Sequence, residues 1–141
     1  MIARAVLLAT FVALTAVWPA LAETRVALVI ANSAYVNNTQ LPNPLNDGPG
    51  VADALKRAGF RTVVVESNLG YDAMRKVLRT FAAAAREADF AVVYYAGHGM
   101  EIGGDNYLIP IDAKLASDAD VQYEAIPLDL VTQAVGGAQR L

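Results

Sequence analysis

The sequence predicts an α/β domain in three layers, a mainly parallel sheet flanked by helices, and three observations carry that expectation. From Arg25 onward, short apolar runs alternate with segments of helical spacing, so a strand, helix, strand unit occurs twice in succession. The run Phe90–Tyr95 is β-branched and aromatic without polar alternation, as in a strand covered on both faces. It stops at Gly97-His98-Gly99, which puts the only histidine of the chain beyond the carboxyl end of a strand, where open α/β sheets gather their chemistry.

Taken in order, Arg25–Ile30 reads as the first buried strand. Ala31–Asn46 follows as a loop, because Asn32, Ser33, Asn37, Asn38, Thr39 and Asn43, with Pro42 and Pro44, offer turn chemistry and no periodic burial. A loop of that length opening from a strand end points to function. A helix is expected to begin near Asp47, capped by Asn46 or Asp47 with Pro49 in its first turn, and to bury Val51, Ala54, Leu55 and Ala58. Gly59 stands where a left-handed terminator belongs. Arg61–Glu66 is the second strand, and Tyr71–Ala88 the second helix, with Met74, Val77, Leu78, Phe81, Ala85 and Ala88 on one face. Its cations Arg75, Lys76, Arg79 and Arg86 form a solvated surface. After His98, Met100–Ile102 and Asn106–Pro110 flank Gly103-Gly104-Asp105 as a hairpin. Ala113–Asp120 is a polar link, Val121–Ile126 a short extended piece, and Leu128–Val135 a weak helix stopped by Gly136-Gly137. A further strand is expected after Leu141, so the sheet is expected to be incomplete at its C-terminal side, with an unpaired edge open to self-association.

Composition narrows the function classes. The 141 residues suffice for one domain, and a net charge of −3 without a Lys/Arg cluster argues against a nucleic-acid partner. Met1–Arg4 is positive, Ala5–Val17 apolar, and Ala20-Leu21-Ala22 presents small residues for cleavage, so residues 1–22 read as a secretory signal peptide. The apolar core is short of the ~20 residues that a span needs. The domain is therefore expected to be exported, periplasmic or extracellular, with no stable membrane association after cleavage before Glu23. Cysteine is absent, which leaves stability to the apolar core and removes every thiol.

Among candidate chemical groups, His98 stands out for its position and its flanking glycines, which supply backbone freedom and close approach of a substrate. Tyr94 and Tyr95 read as strand packing, buried on alternate faces. Glu101, Asp105 and Asp112 lack a recognised ligand spacing, so no metal site is expected. From the residues alone Asp47 reads as a cap for the first helix. A nucleotide or phosphate binder is disfavoured, since no glycine-rich phosphate loop follows the first strand.

Val26–Asn32, Asn43-Pro44-Leu45-Asn46-Asp47, Tyr94-Tyr95-Ala96-Gly97-His98-Gly99 and Asn106-Tyr107-Leu108-Ile109-Pro110 together resemble the large-subunit region of caspase-like cysteine peptidases, nearest to the bacterial metacaspase-type members. The resemblance covers most of Arg25–Leu141, so 23–141 reads as the N-terminal portion of such a catalytic domain. It implies that His98 activates a cysteine thiolate, that the Gly99 N–H helps hold the oxyanion, and that Asp47 selects Arg or Lys before the scissile bond of a protein or peptide substrate. Ala96 and Pro44 depart from relatives that carry serine and cysteine there. No cofactor is expected from the residues; calcium enters only because some metacaspase relatives use it. The family places its cysteine roughly 50 residues after the histidine, and 43 residues follow His98. The expectation is an endopeptidase fragment whose cysteine lies beyond Leu141, inactive by itself. The alternative is a non-catalytic interaction module on the same fold.

Overall fold

The strand β1, Arg25–Ala31, sits between two parallel neighbours, because its residues can be covered on both faces. Every residue from Val26 to Ala31 is buried. A computed structural model describes residues 23–139; the expected signal peptide and the last two residues lie outside them. β2, Thr62–Ser67, pairs with one side of β1, and β3, Phe90–Ala96, with the other, both in parallel.

The alternating side chains of β1 divide the domain into its layers. Val26, Leu28 and Ile30 join a core with Met74, Leu78, Phe81 and Ala85 of helix α2, Tyr71–Arg86, and with Val131 and Ala134 of a later helix. On the other face, helix α1, Pro44–Arg57, approaches so closely that a Cβ on Gly48 would lie 3.1 Å from the Ala31 Cβ. The result is the expected three-layer arrangement of a parallel sheet flanked by helices. Among the described residues β2 and β3 each pair on one side only.

Helix α1 differs from its expected form. It begins at Pro44 with Asn43 at the cap position, so neither Asn46 nor Asp47 caps it and Pro49 lies in the helix interior. Proline suits a first position because its missing N–H has no intrahelical partner to lose. The earlier start also changes the buried face to Pro44, Gly48 and Ala52, while Ala54 and Ala58 are exposed and Val51 and Leu55 half-buried. Small residues at that spacing let the helix lie against β1. Gly59 has φ 91°, the left-handed conformation expected at the helix end.

Beyond the main sheet, β4, Gly99–Ile102, and β5, Asp105–Leu108, form the hairpin, turned by Gly103 and Gly104 at φ 63° and 92°. The expected extended piece at Val121–Ile126 is instead a short helix, α3, Val121–Glu124, followed by a two-residue strand β6, Ile126–Pro127, that pairs with β5. Ser117 and Asp120 form a reciprocal cap that starts a helical turn, and Val121 and Ala125 then bury together one turn apart. Helix α4, Leu128–Val135, has the expected bounds. No helix among the described residues is long and apolar enough to cross a membrane.

Candidate active site

Parallel pairing of β1 with β3 brings Ala31 opposite Ala96, and the Asn32 N–H continues the pairing to the Ala96 carbonyl at 2.8 Å. The loops leaving both strands therefore share one edge of the sheet. Asn32, fully buried, accepts the Leu69 N–H at 2.9 Å and donates to the Leu69 carbonyl at 3.2 Å, tying β1 to the loop after β2. Asn68 Oδ1 accepts the N–H groups of both Ser33 and Ala34 at 2.9 Å. Asn37 donates to the Asp112 carbonyl at 3.1 Å, and the Val36 N–H to the Ile111 carbonyl at 2.9 Å. Ser33 Oγ donates to the Leu41 carbonyl. The long polar loop is thus fixed at several points.

This loop delivers two groups to His98, which is half-buried. The Thr39 carbonyl lies 2.7 Å from Nε2. A carbonyl only accepts, so the contact assigns the proton to Nε2 and leaves Nδ1 with the lone pair in the neutral ring. Tyr35 packs its ring against the imidazole, with centroids 4.5 Å apart and planes tilted by 55°. Asn38, Thr39, His98, Gly99, Met100, Ile109 and Leu115 line a cleft of about 190 Å³.

The direction of the Gly99 N–H follows from the hairpin register. Ile109 N–H donates to the His98 carbonyl at 3.0 Å, and Gly99 stands opposite Leu108. Bonded and non-bonded pairs alternate along an antiparallel ladder, so Gly99–Leu108 is a non-bonded pair and the Gly99 N–H turns away from β5. Gly99 is exposed, leaving that donor within reach of a ligand.

Gly97 is required for a reason other than the expected backbone freedom. Its φ is not positive; a Cβ there would instead meet the Tyr95 hydroxyl, and the Tyr35 hydroxyl at 2.6 Å. Tyr94 and Tyr95 are half-buried, not buried on alternate faces, and Tyr95 reaches past its strand into the site. Its hydroxyl lies 2.9 Å from the carbonyl oxygens of both His98 and Ile109 and 3.2 Å from the Tyr35 hydroxyl. Burial first, and the neighbouring Tyr35 hydroxyl second, raise Tyr95 far above the ordinary phenol value, so it stays protonated.

Asp47 lies exposed in the first turn of α1 and is not among the residues lining the His98 cleft. Asp112 Oδ1 accepts the Tyr71 N–H at 2.9 Å, a cap for α2, while Glu101 and Asp105 are exposed on the hairpin. Among the described residues no three acidic or histidine side chains gather around a common point. A larger hollow of about 620 Å³ lies between α2 and α4, walled by Arg75, Lys76, Arg79 and Arg86. Asp72 lines it as well, and no histidine does. Sequence reasoning missed Tyr35, Thr39, Asn32 and Asn68 as parts of the site. The available signals were an aromatic residue inside a polar loop and an asparagine directly after a buried strand.

The caspase-domain family matches residues 24–137. Human mucosa-associated lymphoid tissue lymphoma translocation protein 1 is 32% identical over 93 residues, and its mouse homolog 31% identical over the same length. Each match covers 66% of this chain and 11% of the relative, so the chain spans about a tenth of the length of these curated relatives. With a family match over nearly all of the described residues and an α/β sheet that displays a histidine at a strand end, the chain belongs to the caspase-domain family, a family of cysteine peptidases.

Proposed function

We propose that the chain is the histidine-bearing part of an exported caspase-like cysteine endopeptidase that cleaves after Arg or Lys. The observation that carries this reading is the Thr39 carbonyl at 2.7 Å from His98 Nε2, which leaves Nδ1 with the lone pair on an imidazole that lines an open cleft. In this reading Nδ1 takes the proton of a cysteine thiol, and the thiolate attacks the scissile carbonyl carbon. The Gly99 N–H donates to the oxyanion that forms. As the C–N bond breaks, the imidazolium returns its proton to the leaving amine, and water then releases the acyl group from sulfur. The 141 residues contain no cysteine, so the thiol comes from outside them. Asp47, acidic and exposed at the start of α1, is the carboxylate assigned to a basic substrate side chain through charge-assisted hydrogen bonds.

The test uses the full-length gene product and fluorogenic peptides ending in Arg, Lys or Asp. Cleavage after Arg and Lys, but not Asp, is expected, and Asp47→Ala is expected to raise KM for the basic peptides about tenfold or more, the loss of a charge-assisted pair. Failure of the folded full-length product to cleave any peptide, with calcium supplied, would favour a caspase-fold interaction module. Export is checked separately by N-terminal sequencing of the secreted protein, which is expected to begin at Glu23.

A further inference from the structure

In an ordinary antiparallel ladder, His98 and Ile109 would exchange two backbone hydrogen bonds. Only one is present, from the Ile109 N–H to the His98 carbonyl at 3.0 Å. The second is replaced by a side chain. His98 N–H donates to the Tyr35 hydroxyl at 2.7 Å, and that hydroxyl donates onward to the Ile109 carbonyl at 3.1 Å. Tyr95 closes the arrangement from β3, with its hydroxyl 2.9 Å from the His98 carbonyl. Both backbone polar groups of His98 are thus held by phenols, one arriving from the loop after β1 and the other from β3.

We infer that Tyr35 and Tyr95 form a hydroxyl wedge that positions His98 and the Gly99 N–H, making them positioning residues for the proposed peptidase chemistry. Tyr35 is 2% exposed, so its hydroxyl has no bulk water as an alternative partner. Its ring also rests on the imidazole, so one side chain fixes both the backbone and the ring plane of His98. The hydroxyls occupy the space of a Gly97 Cβ, which explains why glycine precedes the histidine. Peptide planes at 97–99 then have one orientation set by two phenol oxygens, and the Gly99 N–H points where that orientation sends it. The wedge opens the ladder where β4 leaves the sheet edge. It deepens the peptidase reading and rests on it only for its catalytic consequence.

The experiment compares Tyr35→Phe, Tyr95→Phe and the control Tyr94→Phe in the full-length gene product. Each removes one oxygen and keeps the ring. Tyr35→Phe is expected to lower kcat about 10- to 100-fold with KM within about twofold, since displacing a reacting group by about 1 Å costs up to about 100-fold. Tyr95→Phe is expected to give a smaller fall, and Tyr94→Phe none. The ring nitrogens of His98, assigned against His98→Ala by nitrogen NMR, are expected to leave the fixed Nε2–H tautomer in Tyr35→Phe. Unchanged kcat and unchanged ring nitrogens, with only a lowered Tm, would overturn the inference and reduce the tyrosines to packing. If Tyr35→Phe fails to fold, Tyr95→Phe decides by the same two readouts. Should the wild-type protein cleave nothing, the peptidase reading fails while the ring nitrogens still decide the wedge: a tautomer change supports it and no change overturns it.

Discussion

Thr39 acts on His98 through its backbone carbonyl, so the strength of that contact depends on whatever fixes the loop. Asn32 and Asn68 do much of the fixing. Asn32→Ala strips partners from the Leu69 N–H and carbonyl and is expected to cost about 1–3 kcal/mol in chemical denaturation. Asn68 has φ 53°, a left-handed conformation that glycine adopts without strain. Asn68→Gly and Asn68→Ala lose the same acceptor, and the alanine variant is expected to be less stable by about 1 kcal/mol. At this scale His98 and Gly99 were legible because the glycines and the preceding strand are contiguous in sequence. Thr39 and Tyr35 were not, since they meet His98 across separations of 59 and 63 residues that only the β1–β3 pairing brings together.

Among the elements, α2 shows how one segment can complete another. Its first N–H groups have no intrahelical partners, and Gly70 has no side chain to offer as a cap. Asp112, on the segment after the hairpin, accepts the Tyr71 N–H instead, and a Cβ on Gly70 would stand 2.8 Å from the Asp112 Cγ. Asp112→Ala is expected to cost about 1 kcal/mol, measured as a lowered denaturation midpoint. The apolar face of α2 was readable from its spacing, and its core residues have large effects: Leu78→Ala is expected to cost about 2–5 kcal/mol. Short elements were the less readable ones. Helix α3 has four residues, too few to show a period, and its direction is set by the Ser117–Asp120 cap and by burial of Val121 and Ala125.

Across the whole molecule, the layered architecture was legible because β1 is an uninterrupted apolar run, a pattern that requires cover on both faces. The exact face of α1 was not, because Pro44, Gly48 and Ala52 carry little hydrophobic signal and are selected by close approach to β1. The tyrosine wedge also ties global stability to pH. Tyr95 binds its proton more tightly when folded than when unfolded, so its contribution is complete below the ordinary tyrosine value of 10.0 and declines as pH rises above it. Stability measured through that alkaline range is expected to fall, and to fall less steeply in Tyr95→Phe.

Proton exchange between His98 and a cysteine thiol is read from the pH dependence of thiol alkylation in the full-length gene product. Pairing with an imidazolium lowers a thiol well below its free value of about 8.5, so rapid alkylation by iodoacetamide is expected near pH 6, accompanied by loss of peptidase activity. His98→Ala is expected to move the midpoint of the same thiol up to about 8.5. Identical alkylation profiles for the two proteins, or a full-length product with no cysteine to alkylate, would rule out the His98–thiol pair.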